Sequence, residues 1–504
     1  MRNVAYEALG RLCSIGGNSF TGNMINWCVE TIVNNRDPNA RAGCAVALGC
    51  IHSYVGGMAA GFHLKTIIGI LMSLSNDPHP TVHFWALDGL ARTIDSAGLT
   101  FSGFVTSTLG MLSQLYVAET HNEEAATVVS SNLELELPTL SIVVRCIDSL
   151  IGVLGPDLQD MVKTRELILT NVGQFLREPD YTAQLEALRC LEHLSLFAAS
   201  HVDTVGYVKR LQKELGSEYV ELRDVAIDGL YQLMKGDAER IINTADPGLE
   251  EQLWIALDEA PEHEGIRNII NNWLNQTGTE DVGKWVGRCQ AVMSKLVERK
   301  DGIAGKLENE KPTSSGAVDL NDDEVASFAV APPGEKENSQ PAGQELLRWQ
   351  VRTFAMNCLS ELLGLAAREM QRDSETPVEE SLVQKIADVI RMAFSASTSN
   401  VVQLRLAGLR IVDQVLKMFG YTPDPDFPEA TLLEQYQAQI GSALTPAFAA
   451  DSSPELASEA VNVCAGFIST GIVKDVDRMG RILRLLTSAL ENFSSMISPS
   501  VPLT

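Results

Sequence analysis

Ala47-Leu48-Gly49 repeats a tripeptide that occurs 39 residues earlier as Ala8-Leu9-Gly10 and 39 residues later as Ala86-Leu87-Asp88. A period near 40 residues, with a small residue followed by an apolar one at fixed offsets, is typical of stacked helical hairpins of the HEAT or armadillo kind. Such a hairpin cannot bury its apolar face alone, so it packs against its neighbours. The repeat therefore predicts an all-α fold, an α-solenoid with a period of about 39–41 residues.

The first complete hairpin is predicted between residues 24 and 51. Apolar residues at helical spacing mark its first helix: Met24, Trp27, Cys28, Ile32 and Val33. The same spacing resumes after a turn and marks its second helix: Ala42, Ala45, Leu48 and Ile51. In the turn, Asp37 can accept a hydrogen bond from a free amide of the new helix, and Pro38 suits the first helical position because its missing N–H costs nothing there. Asp77 and Pro78 repeat this arrangement 40 residues later.

Glycines predict where the second helices end. Gly16-Gly17, Gly56-Gly57 and Gly98 follow the last periodic residues of three successive copies. A helix commonly ends at a residue in the left-handed conformation, which glycine adopts without a Cβ penalty. Both ends of these helices can therefore be predicted.

The repeat continues along the chain. Ala187 and Leu188 return 39 residues later as Ala226 and Ile227. The stretch Cys146–Leu150 aligns as the intervening second helix, and this alignment leaves about twenty residues in excess before it.

We place the excess residues near 118–138, a segment with several glutamates: Glu119, Glu123, Glu124, Glu134 and Glu136. Insertions in solenoids project as loops from one face, so this segment is predicted to be an irregular acidic insertion. An irregular or longer helix pair explains the excess equally well.

Between Asp301 and Gly343 the helical period disappears into a stretch rich in Gly, Pro, Ser and acidic residues. Such a composition cannot bury enough apolar surface to order itself, so a disordered acidic linker is predicted. Helical spacing resumes at Leu346-Leu347-Arg348-Trp349, and later second helices are predicted at Leu404–Leu416 and Pro454–Phe467. We therefore predict a HEAT-repeat solenoid over residues 1–300, a linker over 301–343 and further HEAT-like repeats over 344–504.

The chain begins in what aligns as a second helix, without a first helix before it. Such a solenoid end exposes an apolar flank that needs a polar cap. We therefore expect the sequence to be a fragment of a longer protein.

The charge balance narrows the possible partners. The chain has 39 Lys plus Arg against 65 Asp plus Glu, a net charge of −26. Its long-range field repels phosphate backbones and anionic lipid headgroups, so neither nucleic-acid binding nor direct membrane insertion is expected. The same field favours basic segments of partner proteins, although strong negative charge also serves solubility alone.

The nine cysteines are scattered and never approach a CxxC spacing. Neither a disulfide framework nor a zinc cluster is therefore expected, and a reducing compartment is indicated. The N-terminus lacks the apolar core of a signal peptide, and no run of 18 apolar residues occurs. These features predict a soluble cytosolic protein.

Motifs that carry chemistry are weak in this sequence. Gly278–Trp285 almost matches a phosphate-binding loop, but Trp285 stands where a Ser or Thr hydroxyl must hold magnesium, and Glu280 and Asp281 place negative charge where phosphates would lie. His79 and His83 have a spacing that puts two imidazoles on one helix face, but no third metal ligand accompanies them. We predict no catalytic, cofactor-binding or metal-binding residues, and hence no enzyme.

One segment of the predicted linker has the composition of a short linear motif. Leu320–Val330 combines acidic residues with a single aromatic residue, Phe328. A segment of this kind suits a partner's pocket, but acidic linkers with an incidental Phe are also common. Ser327 and Ala329 depart from the acidic or Gly neighbours that clathrin adaptor ear domains usually recognise.

Several stretches of the chain are more specific than a generic helical repeat: Arg41–Cys44, Ala47–His52, Tyr54–Met58, Asp95–Gly98, Leu154–Gln159, Lys284-Trp285 with Cys289, and Arg348–Ala355. In these stretches the chain resembles one family, the large HEAT-repeat accessory factors of the clathrin adaptor at the trans-Golgi network and endosomes. From Val401 onward only helical repeats are recognisable. Members of this family are much longer than 504 residues, so the resemblance implies an internal piece, of fungal type given the acidic insertion.

The resemblance implies a non-enzymatic scaffold in traffic between endosomes and the trans-Golgi network, including retrograde transport, endocytosis and protein localisation. Its implied partners are clathrin adaptor subunits and short disordered co-adaptors. Its implied location is the cytosol, with peripheral attachment to these membranes through partners.

Two other classes stay open. Nuclear transport receptors are also acidic HEAT arrays, and they would bind a GTP-loaded small GTPase. A helical arm of a larger enzyme would have its catalytic domain outside this sequence. Fold alone does not decide between these functions.

Overall fold

The computed structural model describes residues 2–121, 137–298, 344–372, 377–449 and 452–497. The chain divides into two compact units, unit 1 (Met1–Gln252) and unit 2 (Leu253–Thr504). The predicted linker over 301–343 and most of the predicted insertion near 118–138 lie outside the described residues. The predicted boundaries at 300 and 344 stay predictions.

Unit 1 consists of helices joined by short turns. Its helices are α1 (Arg2–Asn34), α2 (Pro38–Val55), α3 (Gly57–Leu74), α4 (Pro80–Ala97), α5 (Val105–His121), α6 (Thr139–Leu154), α7 (Val162–Phe175), α8 (Tyr181–Phe197), α9 (Thr204–Glu214), α10 (Val220–Gly236) and α11 (Ala238–Thr244). Helix α12 (Leu249–Glu259) contains the boundary between the units. Short 3₁₀ turns at Gly98–Phe104, Gly155–Gln159 and Ala199–His201 connect three of the pairs.

The second helices of successive hairpins pack side by side in one row. The N-terminal part of α1 contacts α2, and the row continues through α4, α6, α8 and α10. The first helices α3, α5, α7 and α9 each pack on the second helix that follows them. The α-solenoid predicted from the repeat is confirmed, and Cys146–Leu150 lies in the second helix α6 as predicted.

Glycine allows neighbouring helices of the row to pack with their backbones in direct contact. A Cβ at Gly49 would lie 2.6 Å from the carbonyl oxygen of Gly89, and one at Gly10 would lie 2.7 Å from that of Cys50. No real Cβ fits at these distances, so the glycine of the Ala-Leu-Gly repeat is required by packing. Farther along the row, the thiol of Cys146 donates to the carbonyl oxygen of Leu87 across 3.4 Å.

Helix ends agree with the prediction at one turn and differ at the next. Asp37 accepts hydrogen bonds from the amides of Asn39 and Ala40 at 3.2 and 3.1 Å, and Pro38 begins α2. At the next turn α4 begins at Pro80, two residues later than predicted from Asp77-Pro78. Asp77 instead forms an ion pair with Arg41 at 2.7 Å, which ties it to the preceding second helix.

The glycines predicted to end the second helices do so. Gly17 has φ 76° and interrupts α1, so that α1 comprises a second helix and the first helix of the next hairpin. Gly56 has φ 84° and separates α2 from α3. Side chains avoid this conformation, which explains why glycine occupies both positions.

The core of unit 1 lies between the two layers of helices, but two residues of the predicted first hairpin do not enter it. Cys28 and Ile32 are buried, whereas Trp27 and Val33 are 54% and 74% exposed.

By length and composition Thr139–Gln159 is apolar enough to cross a membrane, yet 61% of this stretch is buried in the structure. Its burial matches the position of α6 between α4 and α8 in the row.

Unit 2 continues with the same kind of hairpin. Its helices are α13 (Glu264–Thr277), α14 (Val282–Ser294), α15 (Trp349–Arg372), α16 (Pro377–Ser397), α17 (Val402–Phe419), α18 (Gln437–Leu444), α19 (Pro454–Ser469) and α20 (Val476–Ile497). Helices α15, α17 and α19 pack in one row, and α14, α16 and α18 in another. The predicted second helices at Leu404–Leu416 and Pro454–Phe467 are confirmed as α17 and α19.

A two-stranded antiparallel sheet was not predicted. Strand β1 (Leu296–Glu298) pairs with β2 (Gln344–Leu346), and Leu296 lies opposite Leu346. The prediction that helical structure resumes at Leu346 is therefore wrong, because this residue belongs to the ladder. Helix α15 begins three residues later, at Trp349.

Candidate partner-binding surface

The third position of the Ala-Leu-Gly repeat changes character along the row of second helices. It is glycine in the first two copies, and then it is charged: Asp88, Asp148, Arg189 and Asp228. The residue that follows stays small in each charged copy: Gly89, Ser149, Cys190 and Gly229. The small residues allow the helices to approach, and the charged ones form a ladder across α4, α6, α8 and α10. We call this ladder and its neighbours the charged row.

The part of the charged row around Asp88 is electrically balanced. The Asp88 carboxylate accepts a hydrogen bond from Nε of Arg92 at 2.8 Å and lies 3.6 Å from a guanidinium nitrogen of Arg145. Arg92 also lies 3.8 Å from a carboxylate oxygen of Glu7 on α1. Two carboxylates thus face two guanidinium groups, and Asp88 is 6% exposed. This cluster links three helices of the row.

The part around Asp148 has an excess of acid. Nδ1 of His193 and Oδ1 of Asp148 are 2.7 Å apart, which joins α8 to α6. Glu186 pairs with Arg189 on α8 at 2.9 Å. Three further carboxylates belong to the same electrostatic neighbourhood: Asp95, Glu192 and Asp228. The side chains of Arg189 and His193 are 46% and 44% exposed, so this part of the row faces solvent.

The carboxylates here are held in conditions that disfavour their charge. Removal of water by the surrounding protein raises the pKa of Asp95, Glu186 and Glu192, and neighbouring carboxylates raise it further in each case. The hydrogen bond that the His193 ring donates to Asp148 raises the pKa of His193. An added cation would relieve the repulsion among these groups, because opposite charge favours the ionised form of a carboxylate.

The pair of His193 and Asp148 has the geometry of a catalytic base and the residue that orients it. Asp148 is the hydrogen-bond partner of His193, and the thiol that joins the pair, that of Cys190, interacts with the Asp148 carboxylate. The nearby thiols of Cys146 and Cys190 are fully buried, and burial raises the pKa of both. A protonated, inaccessible thiol does not act as a nucleophile. The arrangement therefore suits ion pairing and lacks the parts of a hydrolytic site.

The loop that resembles a phosphate-binding motif is an interhelical turn. Helix α13 precedes it where a phosphate-binding loop requires a strand, and Asp281 caps α14 by accepting a hydrogen bond from the Lys284 amide at 3.1 Å. Lys284 pairs with Asp281 at 2.5 Å. Trp285 is buried, and its Nε1 donates to Thr277 at 2.9 Å. These residues stabilise the turn.

The two histidines at metal-ligand spacing lie at the start of α4. His79 is the N-cap residue, and His83 is buried in the first turns of the helix. Within the ranges that the structure describes, no group of three or more His, Cys, Asp or Glu side chains could hold a metal ion. The segment Leu320–Val330 lies outside those ranges.

A row of stacked hairpins with charged side chains across their second helices defines a class: an α-solenoid of HEAT-like repeats. Within that class, residues 381–501 match the model of the Laa1/Sip1/HEATR5 HEAT repeat region. The chain is also 27% identical over 99% of its length to Protein SWEETIE of Arabidopsis thaliana. It is 21% identical over 92% of its length to AP-1 accessory protein LAA1 of Saccharomyces cerevisiae. These matches confirm the resemblance to the HEAT-repeat accessory factors. The family model matches largely after Val401, where the sequence showed only helical repeats, and the fungal origin stays a prediction.

The chain spans 22% and 24% of the length of these two relatives. Among solved structures, Kap121p bound to Ste12p aligns with 98% of this chain and 44% of its own, at 11% identity and a TM-score of 0.42.

Proposed function

We propose that this chain is a non-enzymatic protein-binding scaffold, and that the charged row of unit 1 holds basic segments of partner proteins. The observation that carries this proposal is the acid excess around Asp148. There, five carboxylates meet three basic side chains, those of Arg145, Arg189 and His193, on a solvent-facing surface. Lysine and arginine side chains of a partner would supply the missing positive charge.

We propose further that the scaffold acts in membrane traffic that depends on a clathrin adaptor. The yeast relative is named an AP-1 accessory protein, and this chain aligns with it over 92% of its length. Adaptor subunits and short disordered co-adaptors are the proposed partners. The proposed location is the cytosol, attached through these partners to the trans-Golgi network, endosomes and endocytic vesicles. Endocytosis and retrograde transport are the proposed processes.

The charge proposal can be tested with a labelled polybasic peptide of eight alternating Lys and Ala residues. Asp95 and Asp228 are both exposed, so the double substitution Asp95→Lys/Asp228→Lys should leave the fold intact. We expect it to weaken peptide binding about thirtyfold, since each of the two close charge pairs at a partly desolvated surface contributes about 1 kcal/mol. Fluorescence polarisation at low ionic strength measures this change.

The matched control is Asp160→Lys/Glu166→Lys, which changes the net charge equally. Both residues are exposed, before and on the first helix α7, away from the charged row. If both double variants weaken binding equally, the peptide senses only the net charge of −26 and the charged row is not the site.

The adaptor proposal has its own test. The chain, immobilised on beads, should retain AP-1 from cytosol, and the Asp95→Lys/Asp228→Lys variant should retain much less than the control variant. Retention of the adaptor at equal levels by both variants would leave the adaptor proposal standing and reject the charged row as its site. No retention by any variant would contradict the adaptor proposal.

A further inference from the structure

The ion pairs of the charged row do not present their two partners equally to solvent. In three of them the basic side chain is the more exposed partner: Arg145 at 40% over Asp88 at 8%, Arg189 at 46% over Glu186 at 13%, and His193 at 44% over Asp148 at 16%. An arginine buries its stem and keeps its charged end in water, while the shorter carboxylate stays below it. A partner that touches the middle of the row therefore meets cations first.

The three exposed bases form one cluster on the two inner helices of the charged row. Arg145 belongs to α6, whereas Arg189 and His193 belong to α8. Burial raises the pKa of Glu186, and the charges of Arg189 and Arg145 oppose that rise. Burial also raises the pKa of Asp95, with Arg145 and His193 among the groups that oppose it. Because they act on the same carboxylates, we call the three bases the cation cluster.

The outer helices of the charged row present carboxylates instead. Asp95 on α4 and Asp228 on α10 are exposed, one on each side of the cation cluster. Across α4, α6, α8 and α10 the exposed charges thus run acid, base, base, acid. Since these helices pack against one another in that order, the sequence of charges is fixed by the fold.

An ion pair of unit 2 shows the opposite order of exposure. It lines a small open cavity of about 180 Å³ at the first turns of α15, together with Trp349 and Phe354. There, Glu262 is 81% exposed and Arg267 is 31% exposed, with 3.6 Å between their charged atoms. The cavity therefore presents a carboxylate to solvent. Exposure of the base is thus a property of the pairs in the charged row and does not hold for every ion pair of this chain.

We infer that the charged row recognises a partner segment in which one acidic residue lies between two basic residues. The carboxylate of the segment pairs with Arg145 and Arg189, since a guanidinium group suits a carboxylate. The flanking basic residues pair with Asp95 and Asp228. This inference rests on the proposed function, because it takes the charged row as the partner surface and adds the order of charges that the surface selects.

The packing of the helices sets the spacing of these three residues. Neighbouring packed helices lie about 8–10 Å apart, so the three steps from α4 to α10 cover about 24–30 Å. An extended chain advances about 3.3 Å per residue. Two basic residues about eight positions apart therefore reach both outer helices, and an acidic residue midway between them reaches the cation cluster. The segment that fits is extended and about nine residues long.

The test compares two fluorescein-labelled peptides of nine residues with blocked ends and the same composition. The first has Lys at both ends and Glu in the middle, and the second exchanges this Glu with the first Lys. In the second peptide, Glu faces Asp95 and Lys faces the cation cluster. We expect the full chain to bind the first peptide about fivefold more tightly, the factor that about 1 kcal/mol represents. Fluorescence polarisation measures both affinities.

Arg145→Gln/Arg189→Gln should reduce this preference to less than twofold and should tighten binding of the polybasic peptide of alternating Lys and Ala. A gain in binding cannot arise from misfolding, which keeps the test decisive if the variant is less stable. The matched control is Arg372→Gln/Arg391→Gln, which changes the net charge equally. These arginines of unit 2 are 78% and 67% exposed, and the control should keep the fivefold preference.

Equal binding of the two peptides by the wild type would overturn the inference, and so would an unchanged preference in Arg145→Gln/Arg189→Gln. In either case, weaker binding of both peptides by Asp95→Lys/Asp228→Lys would leave the proposed function standing, since the charged row would still hold basic residues without selecting their order. If Asp95→Lys/Asp228→Lys weakened neither peptide, the proposed function and this inference would fail together.

Discussion

The charged row of unit 1 and the cavity of unit 2 differ in the charged side chains that they carry, although both are built on the same kind of helical scaffold. In the charged row, carboxylates crowd together around Asp148, and the pKa values of Asp95, Glu186 and Glu192 are raised. In unit 2, Arg267 and Arg352 have buried Nε atoms without hydrogen-bond partners among the described residues, and of the two only Arg267 lines the cavity. This difference shows that the stacking of hairpins determines only where the backbone at the surface lies. The residues at a few positions decide which charges that surface presents.

The largest expected effect comes from breaking the row itself. Gly49→Val would place a side chain 2.6 Å from the carbonyl oxygen of Gly89, where backbone on both sides cannot move away. We expect a loss of about 3 kcal/mol in the free energy of unfolding of unit 1, as for overpacked cores. Chemical denaturation followed by circular dichroism measures it.

Gly69→Ala is the control for that substitution, because nothing lies within 4 Å of its Cβ position on α3. It should stabilise the chain by roughly 0.5–1 kcal/mol, since alanine loses less conformational freedom in a helix than glycine. Equal destabilisation by both substitutions would show that the close approach of the second helices is not what holds the row together.

A smaller effect, the pH dependence of peptide binding, distinguishes the polybasic peptide from the peptide with a central Glu. As the pH rises from 5.5 to 7.5, His193, whose pKa is raised, moves toward its neutral form, and the carboxylates with raised pKa keep no fewer negative charges than before. The charged row becomes more negative, so the polybasic peptide should bind about threefold more tightly at pH 7.5, since a single charge at a partly exposed site contributes less than about 1 kcal/mol. Polarisation titrations at the two values measure this.

Binding of the peptide with a central Glu should change less than twofold over the same range. The charge of His193 attracts this Glu and repels the flanking Lys residues, so its loss has opposing effects. Arginine does not titrate there, and the peptide's own carboxylate has a pKa value near 4. A pH response of the same size and sign for both peptides would show that the central Glu does not lie near His193.

The smallest effect concerns a single pair in the charged row. The hydrogen bond to Asp148 raises the pKa of His193, so the protonated ring stabilises the folded chain. This contribution is fully present below the unfolded pKa of about 6.5 and is lost as the pH rises through the folded value. The ring is 44% exposed, so the effect should stay under about 1 kcal/mol after solvent screening.

Asp148→Asn should therefore lower the pKa of His193 and destabilise the chain more at pH 5.5 than at pH 8. A titration of the imidazole resonances by NMR reports the pKa, and denaturation at both pH values reports the stability. An unchanged pKa in the variant would mean that the pair does not form in solution.

Local rules made much of the fold predictable. The period of Ala-Leu-Gly located the second helices, Asp37 and Pro38 marked one helix start, and Gly17 and Gly56 marked two ends. The rules were wrong where tertiary contacts compete with them. Asp77 pairs with Arg41 of the preceding hairpin, and α4 starts later than its Asp-Pro pair suggests. Leu346 pairs with Leu296, and no local pattern reveals that partner.

The charged row could have been found in the sequence, whereas the cavity could not. The third repeat position changes from glycine to Asp88, Asp148, Arg189 and Asp228 in the aligned copies, and that change is visible without coordinates. The cavity depends on Arg267 reaching residues of α15 that lie more than 80 positions away in the sequence. Such a meeting depends on how hairpins stack, which spacing does not encode.

Zero-length crosslinking tests the central claim most directly, since a carbodiimide joins carboxylates to partner lysines only where they touch. Applied to the chain bound to AP-1 and read by mass spectrometry, it should give crosslinks at Asp95, Glu192 and Asp228 of the charged row. Crosslinks confined to exposed acids of the first helices, such as Glu166, would contradict the assignment of the charged row as the partner surface.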